Sequence, residues 1–260
     1  MLNFDERYLC TFLAAGNKIA DLEILLNFYN ELAESTLKAK DVAVLQLKLK
    51  WFMQCLLENE YKSNYQIIDS LRERINFYKL DPLVFAKIIE TKNIDLDTFP
   101  FSSEADLINY AKNTGGALWK LIAQVLGGSS YQELKVVELW GRAFAILGII
   151  RNFPFNYNRN IYTLLYDYKQ LGQDSDQILQ KNIKSLLKVA QKLIKEAKQI
   201  KVPLSKELKI LSLLNLFTLA YGQNLRRANY DVFKANIYKV SNFTYLKIII
   251  KFISIKIFNY

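Results

Sequence analysis

The sequence of 260 residues contains no histidine. This absence excludes catalytic systems built on Ser-His-Asp or Cys-His pairs, histidine-based metal sites and histidine pH switches. Cysteine is scarce as well, since it occurs only at Cys10 and Cys55. Two cysteines are too few for a disulfide framework, and this fits a reducing compartment. We expect both to act as small buried hydrophobic residues.

Residues that form turns are also scarce, with 9 glycines and 4 prolines. Such a composition favours long helices over a turn-rich β architecture. No run of 18 uncharged apolar residues occurs, so we expect no membrane-spanning helix. The first residues lack a basic segment followed by an apolar run and a cleavage site, which argues against a secretory signal. We therefore expect one all-α domain over residues 1–260 that is not secreted.

Apolar residues recur at helical spacing along most of the chain. Helices are predicted over about 18–34, 64–78, 103–127, 132–151 and 174–201, with others from Asp81-Pro82, up to Leu219 and from Phe243. A further helix is predicted after the first, with these residues inward: Val44, Leu47, Trp51, Leu56 and Leu57. We expect Pro154 to end the helix that begins near Gln132, because a proline inside a helix removes a hydrogen bond and clashes with the preceding turn.

A polar stretch follows the apolar helix that ends near Ile150. It carries Arg151, Asn152, Asn156 and Arg159. This run resembles the second aspartate-rich motif of the squalene/phytoene synthase family, in which Arg-Asp-x-x-x-Asp is followed by arginines and an aromatic residue. Here both aspartates are replaced by asparagine. The resemblance implies an isoprenoid-synthase-type helical bundle around a central cavity.

The first aspartate-rich motif of that family corresponds to Ala33-Glu34-Ser35-Thr36-Leu37. Glu34 keeps a carboxylate, whereas Ala33 and Leu37 stand where the family carries further acids. The family uses these carboxylates to hold the magnesium ions that bridge a diphosphate, and magnesium requires charged oxygen ligands. One carboxylate across two motifs predicts no metal site and no catalytic residue, so we expect no cofactor.

Tyr110 and the pair Gly115-Gly116 match a tyrosine and a small-residue helix of the same family. The resemblance implies that the missing side chains make room for an isoprenoid tail. Close packing between helices is an equal alternative, because adjacent glycines inside a helix require some reason. Together with Arg151 and Arg159, these residues form the predicted ligand-binding set, with an isoprenoid lipid as the ligand.

One branch of the family, which assists assembly of mitochondrial respiratory complex I, also lacks the aspartates and carries an Arg-x-x-Pro turn similar to Arg151–Pro154. Other similar segments lie at residues 8–10, 30–33, 109–114, 201–203 and 229–233. This likeness implies a catalytically degenerate scaffold with a respiratory-complex protein as its client. The alternative is an active head-to-head prenyltransferase that condenses farnesyl- or geranylgeranyl-type diphosphates with magnesium.

The excess of positive over negative charge is confined to the last third of the chain. Residues 1–180 carry 19 Lys and Arg against 22 Asp and Glu, a net of −3, whereas residues 181–260 carry 16 against 3, a net of +13. Six lysines are predicted to face an anionic membrane surface: Lys184, Lys188, Lys192, Lys195, Lys247 and Lys251. The alternative is a solvated helix face followed by a core helix, and the lysine-dominated pattern does not favour nucleic acid. We expect a location peripheral to a membrane, on its cytoplasmic or matrix side.

Overall fold

The structure, a computed structural model, describes residues 6–38, 41–58, 63–172, 174–234 and 239–258. Secondary structure within these residues is entirely helical. The α-helices are α1 (Glu6–Ala15), α2 (Ile19–Lys38), α3 (Val42–Leu57), α4 (Gln66–Tyr78), α5 (Pro82–Lys92), α6 (Glu104–Ala111), α7 (Ala117–Val125), α8 (Tyr131–Tyr157), α9 (Ser175–Gln199), α10 (Lys206–Leu211), α11 (Leu214–Arg227) and α12 (Asn242–Phe258). The all-α prediction is confirmed.

Helix α8 is the central element of the bundle. It contacts α6, α7, α9, α10 and α11, and its buried side chains join one apolar core that extends from Cys10 in α1 to Ile255 in α12. Both cysteines are free and buried in this core, as expected from the sequence. In the described part of the chain, no helix has the length and apolar content needed to cross a bilayer.

Local sequence accounts for both ends of α8. Ser130 and Glu133 form a reciprocal capping box at its start. Pro154 does not end the helix as predicted, since the Asn158 N–H still donates to the Pro154 carbonyl at 3.3 Å. The helix ends instead near Asn160, whose backbone is left-handed with φ 59°, a conformation that asparagine tolerates. A proline this close to a helix end removes one hydrogen bond without stopping the chain from completing its last turn.

Two further predictions require correction. In α3 the buried residues are Leu45, Leu49, Phe52, Cys55 and Leu56. Val44, Leu47 and Leu57 are exposed, because this helix is apolar on several sides and its pattern does not select one face. The helix predicted over 103–127 is divided by a π-helical turn at Lys112–Gly116, which contains the glycine pair. Helix α1 was not predicted at all.

Candidate functional site

The segment predicted to correspond to the family's first motif, residues 33–37, lies on α2, near its C-terminal end. Glu34 is exposed and Ala33 is half-buried, while the side chain of Leu37 lies outside the described residues. The hydroxyls of Ser35 and Thr36 donate to carbonyl oxygens of their own helix, at 2.6 Å and 2.8 Å. The two hydroxyls of this motif are therefore satisfied within α2.

The segment predicted to correspond to the family's second motif begins in the last turns of α8. Asn152 is exposed and Asn156 is half-buried. The Asn156 carbonyl accepts hydrogen bonds from the N–H groups of Arg159 and Ile161, at 2.9 Å and 3.0 Å, and so helps to close the helix. The Arg159 guanidinium lies 5.5 Å from the centre of the Phe155 ring. Asn156 and Arg159 thus take part in the end of the helix.

Arg151 belongs to a buried cluster that was not predicted from the sequence. Its guanidinium lies 3.4 Å from the Glu6 carboxylate and 4.0 Å from the centre of the Tyr221 ring. The Tyr221 hydroxyl donates to the other carboxylate oxygen of Glu6. Glu6 is only 6% exposed, so the pair is shielded from water on most sides. The arginine of the second motif is engaged by a carboxylate of the chain itself.

This cluster connects three helices from distant parts of the sequence: α1, α8 and α11. Burial raises the pKa of Tyr221, with the hydrogen bond to Glu6 acting in the same direction and Arg151 against it. Burial also raises the pKa of Tyr245 in α12, which lies near the same charges. Both phenols therefore remain neutral at physiological pH, and the Tyr221 hydroxyl donates to the carboxylate that pairs with Arg151.

Tyr110 lies in a second buried cluster that involves Lys92 and Asp95. The Lys92 ammonium donates to Asp95 at 2.9 Å and to the Tyr110 hydroxyl at 2.7 Å, and Tyr110 donates to Asp95 at 2.7 Å. Lys92 also lies 5.7 Å from the centre of the Tyr29 ring. Burial opposes the charge of Lys92 and is the largest single effect, but Asp95, Tyr110 and Tyr29 together outweigh it, so the pKa of the lysine is raised. The hydroxyl of Tyr110 is occupied by these contacts.

Gly115 and Gly116 are buried in the π-helical turn against α8. A Cβ atom added to Gly115 would lie 2.5 Å from the Ala145 Cβ and 3.2 Å from the Gly141 carbonyl oxygen. The space that the glycine leaves is therefore filled by α8, which supports close helix packing over room for an isoprenoid tail at this point. Arg151 lies six residues beyond Ala145 on α8, roughly 9 Å further along its axis. The structure thus assigns the members of the predicted ligand-binding set to separate local contacts.

Gly115→Ala is expected to lower the free energy of unfolding by about 2 kcal/mol, because the new methyl group overlaps Ala145 in a packed interface. Gly148→Ala is the matched control, because Gly148 also lies within a helix, away from the ends of α8. Its Cβ would meet nothing within 4 Å, so the change is expected to raise stability by about 0.5–1 kcal/mol. Urea unfolding of both variants measures the two effects, and equal shifts would contradict the packing role of Gly115.

Magnesium does not fit the residues at the two motifs. Of the side chains at Glu34, Asn152 and Asn156, only Glu34 supplies a formal negative charge, and neutral amides are weak ligands for a hard divalent cation. In the described residues, no group of three or more His, Cys, Asp or Glu side chains is arranged to hold a metal ion. We therefore derive no reaction step through magnesium.

The predicted membrane-facing lysines are all exposed. Lys184, Lys188, Lys192 and Lys195 lie on the outer side of α9, while the apolar stripe of that helix is buried as predicted. Lys184 lies 5.8 Å from the centre of the Tyr230 ring, and Lys192 approaches Glu196 at 3.8 Å. The other two lysines lie on α12, and α11 contacts both α9 and α12. Their membrane contact stays a prediction.

Comparison with known proteins identifies the family of the chain and similar folds. Residues 5–244 match the squalene/phytoene synthase family. The chain belongs to this family. Its fold also matches a squalene synthase HpnC from Alicyclobacillus acidocaldarius, with a TM-score of 0.71 and 15% identity over 87% of this chain and 90% of that one. A dehydrosqualene synthase solved with a ligand gives a TM-score of 0.76 and 16% identity, over 97% of this chain and 92% of that one.

Similar sequences include proteins named for a different role. The NADH dehydrogenase (ubiquinone) complex I, assembly factor 6 of Mus musculus is 25% identical over 183 residues, which is 68% of this chain and 54% of that protein. The corresponding protein of Homo sapiens is 24% identical over the same length. The chain thus spans about half the length of the curated relatives it matches. The likeness to a branch with complex I assembly factors is confirmed.

Proposed function

We propose that the chain is a catalytically degenerate member of the squalene/phytoene synthase family and acts as a scaffold peripheral to a membrane. In this role it binds a respiratory-complex protein and helps that complex to assemble. The mouse and human relatives are complex I assembly factors by name, which supports the assembly role. The two predicted motifs together keep one carboxylate, Glu34, which supports the absence of prenyl transfer.

The observation that carries the proposal is the engagement of Arg151 by Glu6. In the family that the sequence resembles, the corresponding arginine stands beside the acids that position a diphosphate through magnesium. Here its guanidinium faces an internal carboxylate at 3.4 Å, and the two positions beside it in the motif carry neutral amides. A diphosphate would have to compete with Glu6 for Arg151 without metal ions to screen its own charge. The arrangement favours a structural arginine over a substrate-binding one.

Complementation in the source organism separates a scaffold from an enzyme with an altered metal site. We expect loss of the gene to reduce assembled complex I on native gels. The double variant Asn152→Ala and Asn156→Ala should restore assembly as well as the unaltered chain does, because neither side chain is buried in the core. If amide ligands to a metal supported the function, this double variant would fail while remaining folded.

The same protein provides a direct test of turnover. With farnesyl diphosphate, magnesium and NADPH, we expect the purified chain to release no diphosphate above the protein-free background. Restoring aspartate at Asn152 and Asn156 should not create activity, because Ala33 and Leu37 still leave the first motif with one acid. Steady formation of presqualene diphosphate, squalene or phytoene would establish the active prenyltransferase alternative and overturn the proposal.

A further inference from the structure

Helix α12 is apolar on two opposite sides, and only one of them is packed. The inner stripe, at spacings of three and four residues, consists of Tyr245, Ile248, Phe252 and Ile255. This stripe lies against the core, where α12 contacts α10 and α11. The outer stripe follows the same spacing half a turn away and consists of Leu246, Ile250, Ile253 and Ile257. These four side chains are 50%, 58%, 46% and 65% exposed.

Lysines separate the two stripes. At 100° per residue, Lys247 and Lys251 border the outer stripe on one side and Lys256 borders it on the other. No Asp or Glu occurs between residues 242 and 258. The Lys247 ammonium lies 4.5 Å from the centre of the exposed Phe243 ring. The outer side of α12 is therefore an apolar strip with positive charge along both edges.

This pattern distinguishes between three possible occupants. Lysine is depleted from protein–protein interfaces relative to the rest of the surface, which disfavours a protein partner for a strip bordered by three lysines. A second copy of the same strip would bring lysines against lysines, and like charges oppose association. An anionic bilayer complements both features, because lysine stems can lie along apolar groups while their ammonium ends reach the headgroups.

We propose that the outer stripe of α12 binds the surface of a bilayer that contains anionic lipid. The helix lies parallel to the membrane, with Ile250 and Ile253 at the centre of the strip inserted at the boundary between headgroups and acyl chains. Lys247, Lys251 and Lys256 contact the anionic headgroups. This inference rests on the peripheral-membrane part of the proposed function and identifies the element and the lipid class that would carry it.

The lysine face of α9 differs from α12 in one respect that makes it a matched control. It carries four of the predicted lysines, one more than borders the α12 strip, but no large hydrophobic side chain is exposed between residues 175 and 199. Attraction to a membrane through net charge alone would depend more on α9. Attraction through a charged and apolar strip depends on α12.

Co-sedimentation of the full chain with vesicles tests the proposal. We expect binding to phosphatidylcholine vesicles that contain phosphatidylserine, weak binding to phosphatidylcholine alone, and a marked decrease as salt rises. Replacing Lys247, Lys251 and Lys256 by glutamine should weaken partitioning on the order of a hundredfold, since each lysine near an anionic surface adds about fivefold. The double variant Ile250→Ser and Ile253→Ser should weaken it by at least about tenfold. Replacing the four α9 lysines should change it by less than about tenfold.

Circular dichroism of every variant verifies that the replacements, all on exposed side chains, leave the fold intact. Equal binding to both vesicle types, or none to either, would overturn the proposal. A larger effect of the α9 replacements than of the α12 replacements would also overturn it and move the contact to α9. Dimerisation without vesicles that the serine variant abolishes would identify a second copy as the occupant. If the serine variant loses vesicle binding but still binds the same partner proteins as the unaltered chain, the result would support the bilayer as the occupant of the strip. The turnover and complementation experiments do not use the α12 variants. Their results can therefore be interpreted even if the vesicle experiment shows no lipid binding by α12.

Discussion

Replacing Lys92 with methionine is expected to lower the free energy of unfolding by about 4 kcal/mol, because breaking a buried ion pair leaves the remaining charge without compensation. Lys92 is 7% exposed, and its ammonium contacts both Asp95 and Tyr110. Asp95 would retain the Tyr110 hydroxyl but lose the opposite charge. For a chain of this size, the melting temperature should fall by roughly 8–16 °C. Thermal and urea unfolding measure the change.

The same helix provides a control of identical spacing. Lys87 and Glu90 are also three residues apart and also lie 2.9 Å from each other, but both side chains are more than half exposed. Lys87→Met should therefore change stability by at most about 0.5 kcal/mol. Comparable losses in the Lys87 and Lys92 variants would show that burial does not determine the strength of the Lys92 contact.

The Lys92 contact should also depend on pH in a defined direction. The pKa of the folded lysine is raised, so its contribution to stability is complete below the unfolded pKa of about 10.4 and is lost as pH rises further. The difference in unfolding free energy between the unaltered chain and Lys92→Met should be constant from about pH 7 to pH 9. It should shrink only under more alkaline conditions.

Replacing Glu6 with glutamine is expected to lower the free energy of unfolding by about 3 kcal/mol. The amide preserves the size of the side chain but removes the charge that faces Arg151 in a poorly hydrated site. The smaller effect than at Lys92 follows from the longer distance of 3.4 Å and from the stacking of Arg151 on Tyr221, which the substitution leaves in place. Urea unfolding at neutral pH measures the loss.

Glu196→Gln is the corresponding exposed control, because Glu196 pairs with Lys192 at 3.8 Å on the outer side of α9. It should have little effect. Combining Glu6→Gln with Arg151→Met should cost less than the sum of the two single changes, since neither charge then remains buried alone. Strict additivity would contradict the coupling inferred from the geometry.

The sequence predicted α9 better than α3 for a physical reason. In α9, apolar residues occur on one side and lysines on the other, so the pattern has one solution. In α3, apolar residues surround most of the helix, and only the packing of α2, α4 and α5 against it selects Leu45, Leu49 and Phe52 for the interior. Local periodicity contains no information about which neighbours will be present.

The helices that carry the two predicted motifs could likewise be placed from sequence, whereas the partners of the motif residues could not. Arg151 and Glu6 are separated by 145 residues, and no local pattern links them. A weak signal did exist, because Glu6 and Lys92 are charged residues on helices whose neighbouring positions enter the core. Such charges require a compensating partner, but identifying that partner requires the tertiary arrangement.

The contact between Glu6 and Tyr221 constrains how the chain can fold during its own synthesis. The two residues are 215 positions apart, and α1 rests on α10 and α11 as well as on α2. At about 5–20 residues per second, the ribosome needs roughly 10–40 s to produce the missing partners after α1 has emerged. Throughout that interval α1 lacks the surfaces of α10 and α11 that it contacts in the folded protein. The part of α1 that these two helices cover therefore stays exposed until most of the chain has been made.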